Sequence, residues 1–236
     1  MNPSGGTIFS RRHYAGYRPT ETISLRAGRF GVAYGLNIPD HFVSIKRGLR
    51  WDEGSEAYNI EAAWLGESAD LFVTGTVGRP DAPALNRDKG LALRSSIFLS
   101  DRFKLGWSYL YGASGFGGRH VTGPYAILGF SPRFFVLAEL DFQRFAPAAG
   151  GDAQWGVVNY VKVDYEVLKG VHGYVTQEYA KLDLRNVRSE MASFGVGVQF
   201  FPRPHLEING SYQKQRVRAV SKDFADFAWL LLHYYL

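Results

Sequence analysis

Residues 131–170 read SPRFFVLAELDFQRFAPAAGGDAQWGVVNYVKVDYEVLKG. The stretch opens with a short turn at residues 131–133, passes through a longer glycine-rich connection at residues 146–153, and closes with a short turn at residues 168–170. In the two segments between these breaks, every second residue is apolar, which indicates β-strands with one apolar face. The stretch therefore predicts two strands whose tight turns and longer loop lie at opposite ends.

The same alternation of connections extends over most of the chain. Short turns are predicted at residues 66–68, 100–102, 131–133, 168–170 and 202–204, and longer connections at residues 78–90, 112–120, 146–153 and 182–188. Transmembrane β-barrels have this asymmetry, because their periplasmic turns are tight and their outward loops are long. We therefore predict an all-β fold, an antiparallel transmembrane β-barrel of about 12–14 visible strands, which forms a single domain over residues 1–236.

Aromatic residues bracket the apolar face of the strand at residues 155–165. Trp155 and Tyr165 enclose a valine stretch, and at about 3.3 Å per residue and a tilt near 40° they lie about 25 Å apart, the height of a barrel's apolar band. Trp and Tyr favour the headgroup level of a membrane; cross-strand packing in a soluble core is the alternative. The predicted membrane-interface aromatics are Trp107, Tyr109, Tyr111, Trp155, Tyr165 and Tyr234.

Composition excludes several classes of site. Cysteine is absent, which excludes disulfides, thiolate catalysis, thiolate metal sites and c-type haem attachment within this chain. The longest purely apolar run, residues 227–232, is far shorter than the roughly 20 residues of a membrane-spanning helix. Residues 1–6 show no signal peptide, so we expect a mature or N-terminally truncated chain, and we predict no cofactor and no metal site.

The final residues, 227–236, resemble the last strand of bacterial outer-membrane β-barrel proteins. Leu230, Leu232, Tyr234 and Leu236 match the alternating apolar positions and the aromatic two residues before the end, although the commoner terminal Phe is replaced by Leu. The resemblance implies an outer-membrane location, recognition by the barrel assembly machinery, and contact with lipid and lipopolysaccharide. Residues 24–41 also resemble a porin-type strand that runs into a loop. Since we count roughly thirteen strands and bacterial barrels have even numbers, we expect at least one further strand upstream.

The alternation assigns charged residues to the lumen. The predicted pore-lining residues are Arg26, Glu61, Arg94, Lys104, Glu139, Asp141, Lys162, Asp164, Glu166, Glu178 and Glu207. This wall is mildly acidic although the chain carries a net charge of +5. The excess base is therefore predicted in loops and rims, at Lys46, Arg47, Arg50, Arg119, His120, Arg216, Arg218 and Lys222, where it can meet lipopolysaccharide phosphates or steer anions.

The longest predicted loop, residues 36–51, mixes charged and apolar residues. Loops of this length are uncommon unless they are functional. By analogy with porins, it is predicted either to fold into the lumen and narrow it or to lie outside as a flap. The constriction candidates are Asp40, His41, Lys46, Arg47 and Arg50.

The predicted function is a porin-like channel for passive diffusion of small hydrophilic solutes or ions, and not an enzyme. A structural alternative is a sheath for a partner such as a multihaem cytochrome conduit. A rim enzyme that uses His41 or His120 is a third alternative, and homo-oligomerisation is left open. The glycine-rich residues 112–119 lack the Lys and Ser/Thr of a phosphate loop and are predicted to form a mobile outer loop. Basic residues alternate with acidic ones, so no nucleic-acid partner is expected.

Overall fold

In the described part of the chain, thirteen β-strands form one antiparallel sheet in which every strand pairs with its neighbours in sequence. The computed structural model describes residues 10, 12–38, 43–47, 49, 55–80 and 88–234, and the side chain of Arg47 is not among the described atoms. The strands are β1 (His13–Tyr17), β2 (Ile23–Phe30), β3 (Ala57–Leu65), β4 (Ala69–Gly78), β5 (Lys89–Ser100), β6 (Phe103–Ser114), β7 (Gly117–Ser131), β8 (Phe134–Pro147), β9 (Gln154–Leu168), β10 (Val171–Lys181), β11 (Glu190–Arg203), β12 (Leu206–Val217) and β13 (Ala225–Tyr234). A short helix, α1 (Ser44–Arg47), lies between β2 and β3.

The connections divide between two ends of the sheet. At the short-turn end they are residues 18–22, 66–68, 101–102, 132–133, 169–170 and 204–205, and at the long-loop end they are residues 31–56, 79–88, 115–116, 148–153, 182–189 and 218–224. The predicted antiparallel β-fold and its strand number are confirmed. By the usual asymmetry of transmembrane barrels, the short-turn end corresponds to the periplasmic side.

One predicted outward loop is wrong. Residues 112–120 are almost entirely strand, because β6 continues to Ser114 and β7 starts at Gly117, which pairs with Ser114. A Cβ on Gly117 would collide with the Ala146 carbonyl on the neighbouring strand. Glycine therefore permits close strand pairing here, rather than a mobile loop. At the other edge, β1 covers His13–Tyr17, and residues 1–9 and 11 lie outside the described part of the chain.

The two faces of the sheet differ as the alternation predicts. On β9, Trp155 and Tyr165 are 56% and 49% exposed on the outer face, whereas Val158, Tyr160 and Asp164 on the inner face are almost completely buried. The outer faces of the other strands carry similarly exposed apolar side chains, which is the pattern of a lipid-facing surface. Among the described residues, no helix is long and apolar enough to cross a membrane.

The sheet curves around the connection between β2 and β3. This connection reaches Ser108 on β6, Glu139 on β8 and Glu178 on β10, strands that are four to eight places along the sheet from β2. One short segment can contact all three strands only if the sheet wraps around it. Within the described residues, β1 and β13 have one neighbouring strand each.

Candidate functional site

The most informative interior feature is the chain between β2 and β3, and we call residues 31–49 the inner segment. Within it, residues 39–42 and 48 are outside the described part. A surface loop hydrogen-bonds to water, but a buried one needs protein partners for its backbone groups. The inner faces of β5, β6, β8 and β10 supply such partners.

Wall side chains bind the backbone where the inner segment turns. Leu36 N donates to Glu139 Oε2 over 2.7 Å, and Gly35 N donates to Ser108 Oγ over 3.0 Å. The Gly35 carbonyl accepts a 3.0 Å hydrogen bond from Arg94 Nε. Charged partners make these bonds stronger than those between neutral groups, so Glu139 and Arg94 hold the segment from two strands.

Gly35 is required by both the backbone and the neighbouring wall. Its φ of +53° lies in the left-handed region, where a residue with a Cβ is disfavoured. A Cβ at this position would also collide with the Glu139 carboxylate. The sharp turn therefore brings the backbone directly against the carboxylate.

Tyr34 forms a buried side-chain contact with the same wall. Its hydroxyl donates a 2.7 Å hydrogen bond to Asp141 Oδ1 on β8. Burial raises the pKa of Tyr34 well above its ordinary value, and the negative charge of Asp141 shifts it in the same direction. The hydroxyl consequently stays protonated and continues to donate at physiological pH.

The second half of the inner segment is attached to β10 and β7. Ser44, at the first position of α1, donates to Glu178 Oε2 from both its backbone N (2.5 Å) and its Oγ (2.7 Å). Arg119 Nη1 donates to the Leu49 carbonyl over 2.7 Å. These bonds place α1 against the inner faces of β9 and β10.

Apolar packing accompanies these polar contacts. A buried cluster combines inner-segment side chains with inward-facing side chains of the strands, namely Tyr34, Leu36, Val43, Ile45, Leu49, Ala92, Leu110, Val121, Tyr125, Val158, Tyr160 and Ala180. Inward apolar residues at this level of a barrel need a partner other than water. The inner segment is that partner, so the interior here is packed rather than hydrated.

All the predicted pore-lining carboxylates lie on the inner face. Each of them accepts a hydrogen bond or forms an ion pair with a neighbouring group. Glu61 accepts from Arg26 Nε and Thr74 Oγ1, both at 2.7 Å. Asp164 contacts Lys162 at 3.0 Å and His172 at 2.7 Å. Further contacts run from Gln199 to Glu207 (2.7 Å) and from Gly170 N to Glu166 (2.9 Å), and Glu139, Asp141 and Glu178 bind the inner segment as described above. That these residues border a conducting path stays a prediction.

The predicted pore-lining bases are held by carboxylates and by aromatic rings. Arg26 lies 4.0 Å from the centroid of the Phe30 ring, besides its bond to Glu61. Lys104 pairs with Asp70 at 2.8 Å and lies 4.7 Å from the Phe98 ring centroid. Lys162 lies 4.3 Å from the Tyr174 ring, and Arg94 lies between the rings of Phe72 and Tyr125. Cation–π contacts of this kind add stability to the paired bases.

The constriction candidates are only partly described. Lys46 lies in α1 and borders an interior cavity. The backbone of Arg47 is also in α1, whereas its side chain, Asp40, His41 and Arg50 lie outside the described residues. Of the two predicted positions for this loop, the described parts occupy the interior and not the outside.

Two bases assigned to the 112–120 loop belong to a strand. Arg119 and His120 lie in β7. His120 is on the outer face, where its Nδ1 is 2.8 Å from the Tyr109 hydroxyl. These positions correct the prediction, because the 112–120 segment that was expected to be a loop is a paired hairpin.

The remaining rim bases lie near the long-loop end. Arg216 and Arg218 both contact Glu190, at 2.7 and 3.3 Å. Lys222 is exposed in the connection before β13. The rim therefore carries an acid–base cluster as well as solvent-exposed charge.

A cavity of about 610 Å³ lies beside the inner segment, toward the long-loop end, and we call it the mouth cavity. It is bordered by β1–β8 and by the inner segment, including Val32, Ile45 and Lys46. Its charged lining residues are Arg12, Arg26, Lys46, Arg79, Lys89, Arg119, Glu56, Asp88 and Glu139. Within the described part of the chain, no group of three or more His, Cys, Asp or Glu side chains has a metal-binding arrangement.

Known structures share this fold. Neither a protein-family model nor a curated protein sequence matches the chain. A loop L8 deletion mutant of OmpT, an outer membrane protein of Vibrio cholerae, matches with a TM-score of 0.76 at 11% identity, over 98% of this chain and 81% of that one. The outer membrane channel DcaP of Acinetobacter baumannii matches with a TM-score of 0.61 at 11% identity, over 89% of this chain and 71% of that one.

A porin structure matches with a TM-score of 0.60 at 13% identity, over 89% of this chain and 77% of that one. The chain therefore has the fold of bacterial outer-membrane β-barrels, which confirms the predicted resemblance. The predicted outer-membrane location agrees with these neighbours.

Proposed function

We propose that this barrel is a channel of the bacterial outer membrane through which small hydrophilic solutes or ions diffuse passively. The observation that carries the proposal is the inner segment, which narrows the interior while the mouth cavity beside it stays open. No bond is made or broken in this mechanism. Passage depends on the width of the remaining space and on the charge that borders it.

A fixed constriction needs a rigid attachment, and the contacts of the inner segment supply one. Its first half is bonded to Glu139 and Asp141 on β8, and its second half is bonded to Glu178 on β10. Bonds to separate strands resist both rotation and withdrawal of the segment. A segment attached in this way gives a channel of defined width, which a loop that samples several positions does not.

The sheath alternative is supported less well. A barrel that encloses a protein partner such as a multihaem cytochrome needs most of its interior for that partner. The inner segment already packs against Val121, Tyr125 and Tyr160 within the barrel. A partner would have to displace this packed cluster together with the hydrogen bonds around it.

Single-channel recording tests the proposal. The refolded full-length chain in a planar bilayer is expected to give stable ohmic steps. A second variant, in which a short Gly-Ser linker replaces residues 36–51, is expected to give steps several-fold larger because the constriction is removed. A refolded barrel without conductance, in both forms, would overturn the channel proposal, and co-purification with a haem protein would then favour the sheath.

A further inference from the structure

We propose that the mouth cavity binds small organic anions, carboxylates or phosphate esters, before they enter the channel. This inference rests on the proposed function and names the substrate class of the same channel. It follows from the charge, exposure and shape of the cavity.

The described lining of the mouth cavity carries more base than acid. Among the described residues, six basic and three acidic side chains border the cavity. Their excess is positive, whereas the predicted inner wall as a whole is mildly acidic. The surplus of base is therefore concentrated at the long-loop end, on the side from which an external solute arrives.

The acids that border the cavity are buried or paired with a base. Glu56 and Glu139 are only 3% and 5% exposed, and Glu139 accepts the Leu36 N–H. Asp88 is more exposed but pairs with Arg119 at 3.0 Å. Of these three acids, Asp88 alone therefore presents an exposed carboxylate, and Arg119 balances its charge.

Two of the bases are accessible. Arg12 and Lys89 are both exposed, and they border the cavity from separate strands, one immediately before β1 and the other at the start of β5. A cleft lined with one sign of charge focuses the field and raises the local concentration of the opposite ion by about 10- to 10³-fold. Anions are therefore the solutes that this cavity concentrates.

The lining favours an organic anion over a simple inorganic ion. Apolar and aromatic side chains lie among the bases, including Phe30, Val32 and Leu110. Ligand pockets combine such surfaces with a few charged groups, and their volumes run from about 300 to 1,000 Å³. At about 610 Å³, the mouth cavity accommodates a short hydrocarbon chain with an acidic group at either end.

Calorimetric titration of the detergent-solubilised full chain at low salt tests the inference. The probes are glutarate and glycerol phosphate, compared with 1,5-pentanediol and 1,5-diaminopentane, which match glutarate in length but are neutral or cationic. Binding of glutarate or glycerol phosphate is expected, and the stronger of the two identifies the acidic group preferred. Arg12→Glu/Lys89→Glu should weaken that binding at least tenfold, whereas Lys222→Glu, a single charge reversal in an exposed loop, should leave it unchanged.

Folding of each variant is checked by its heat-dependent mobility on a gel. If the double variant does not fold, the milder Lys89→Gln replaces it and should weaken anion binding by an intermediate amount. Equal binding of the diamine, no anion binding by the wild type, or unchanged binding after substitution overturns the inference. Conductance of the same proteins separates the two proposals. Ohmic steps without anion binding would support the channel and overturn the anion site in the mouth cavity, whereas anion binding without conductance would support the anion site and overturn the channel.

Discussion

The hydroxyl of Tyr34, in the inner segment, donates a 2.7 Å hydrogen bond to Asp141 on β8, although the two residues are 107 positions apart in sequence. Tyr34 is 5% exposed and Asp141 is fully buried. The bond attaches the inner segment to the wall at a point that water does not reach. Its loss therefore tests how firmly the segment is held.

Replacing Tyr34 with Phe removes the hydroxyl and keeps the ring. We expect the free energy of unfolding to fall by about 1–3 kcal/mol, because buried Asp141 loses a donor. Urea unfolding of the detergent-refolded protein measures the change. Asp141→Asn and the double variant complete a mutant cycle, and strictly additive effects would show that the two side chains do not interact.

Stability at alkaline pH should also depend on Tyr34. Because burial raises the pKa of Tyr34 in the folded state, the unfolded chain loses this proton first, near its ordinary pKa of about 10. The unfolded state then binds fewer protons than the folded state, so stability falls as pH rises above about 10, by up to about 1.4 kcal/mol per pH unit for this group. The slope in Tyr34→Phe should be shallower by that amount, and identical slopes would contradict the assignment.

Substitution of Gly35 by Ala should loosen the inner segment. The new Cβ would meet the Glu139 carboxylate and would occupy a left-handed backbone conformation. Gly150→Ala is the matched control, because Gly150 also has a positive φ, +83°, but a Cβ added there would have no neighbouring atom within 4 Å. We expect noisier and larger conductance steps for Gly35→Ala but not for Gly150→Ala. Equal conductance of the two variants would show that a contact between the new Cβ and the Glu139 carboxylate has no effect on the inner segment.

Glu178 should hold α1 through its carboxylate. Both donors of Ser44 meet Glu178 Oε2, so Glu178→Ala leaves a buried N–H and a hydroxyl without that acceptor, while Glu178→Gln keeps an amide oxygen there. Limited trypsin digestion reports access to the bond after Lys46. Cleavage should be faster by about tenfold in Glu178→Ala than in Glu178→Gln, and equal rates would show that this contact does not restrain the helix.

The outer face carries an amide pair in the apolar band, since the side chains of Asn159 and Gln177 hydrogen-bond to each other at 3.2 and 3.3 Å. In lipid, their remaining polar atoms have no water to bind. Asn159→Val/Gln177→Val should raise the free energy of unfolding in lipid vesicles by about 1–2 kcal/mol. The inward-facing pair Ser193 and Gln213 is the control, because replacing both residues by Val should not stabilise the folded protein. If the double substitution of Asn159 and Gln177 destabilised the protein instead, the outer face at this point would contact protein and not lipid.

The alternation of strands and turns could be predicted because its causes are local. In a strand, successive side chains point to opposite faces. The two faces of β9 therefore show different environments in the sequence itself: the outer face carries Trp155, Val157 and Tyr165, and the inner face carries Lys162 and Asp164. Strand ends were less predictable. Glycines at residues 117 and 118 indicate either a loop or a close strand pairing, and only the neighbouring strand, through Ala146, distinguishes the two.

The parts of the site that the sequence did not reveal are the partners of the inner segment. Tyr34, Ser44 and Ser108 were not predicted as site residues. The available signal was the set of apolar residues, such as Val43, Ile45 and Leu49, within a segment that otherwise has the length and charge of a loop. That signal indicates burial, but it does not identify the wall residues that meet them.

By itself, the sequence determined a β-barrel with an apolar outer face, because a period of two and the lengths of turns are properties of neighbouring residues. Only the tertiary structure decided that the chain after β2 enters the interior. Its backbone N–H groups need acceptors there, and the acceptors Glu139 and Glu178 come from strands about 100 or more positions later. Curvature of the sheet brings them together, and the same curvature gathers the bases of the mouth cavity from strands that the sequence separates.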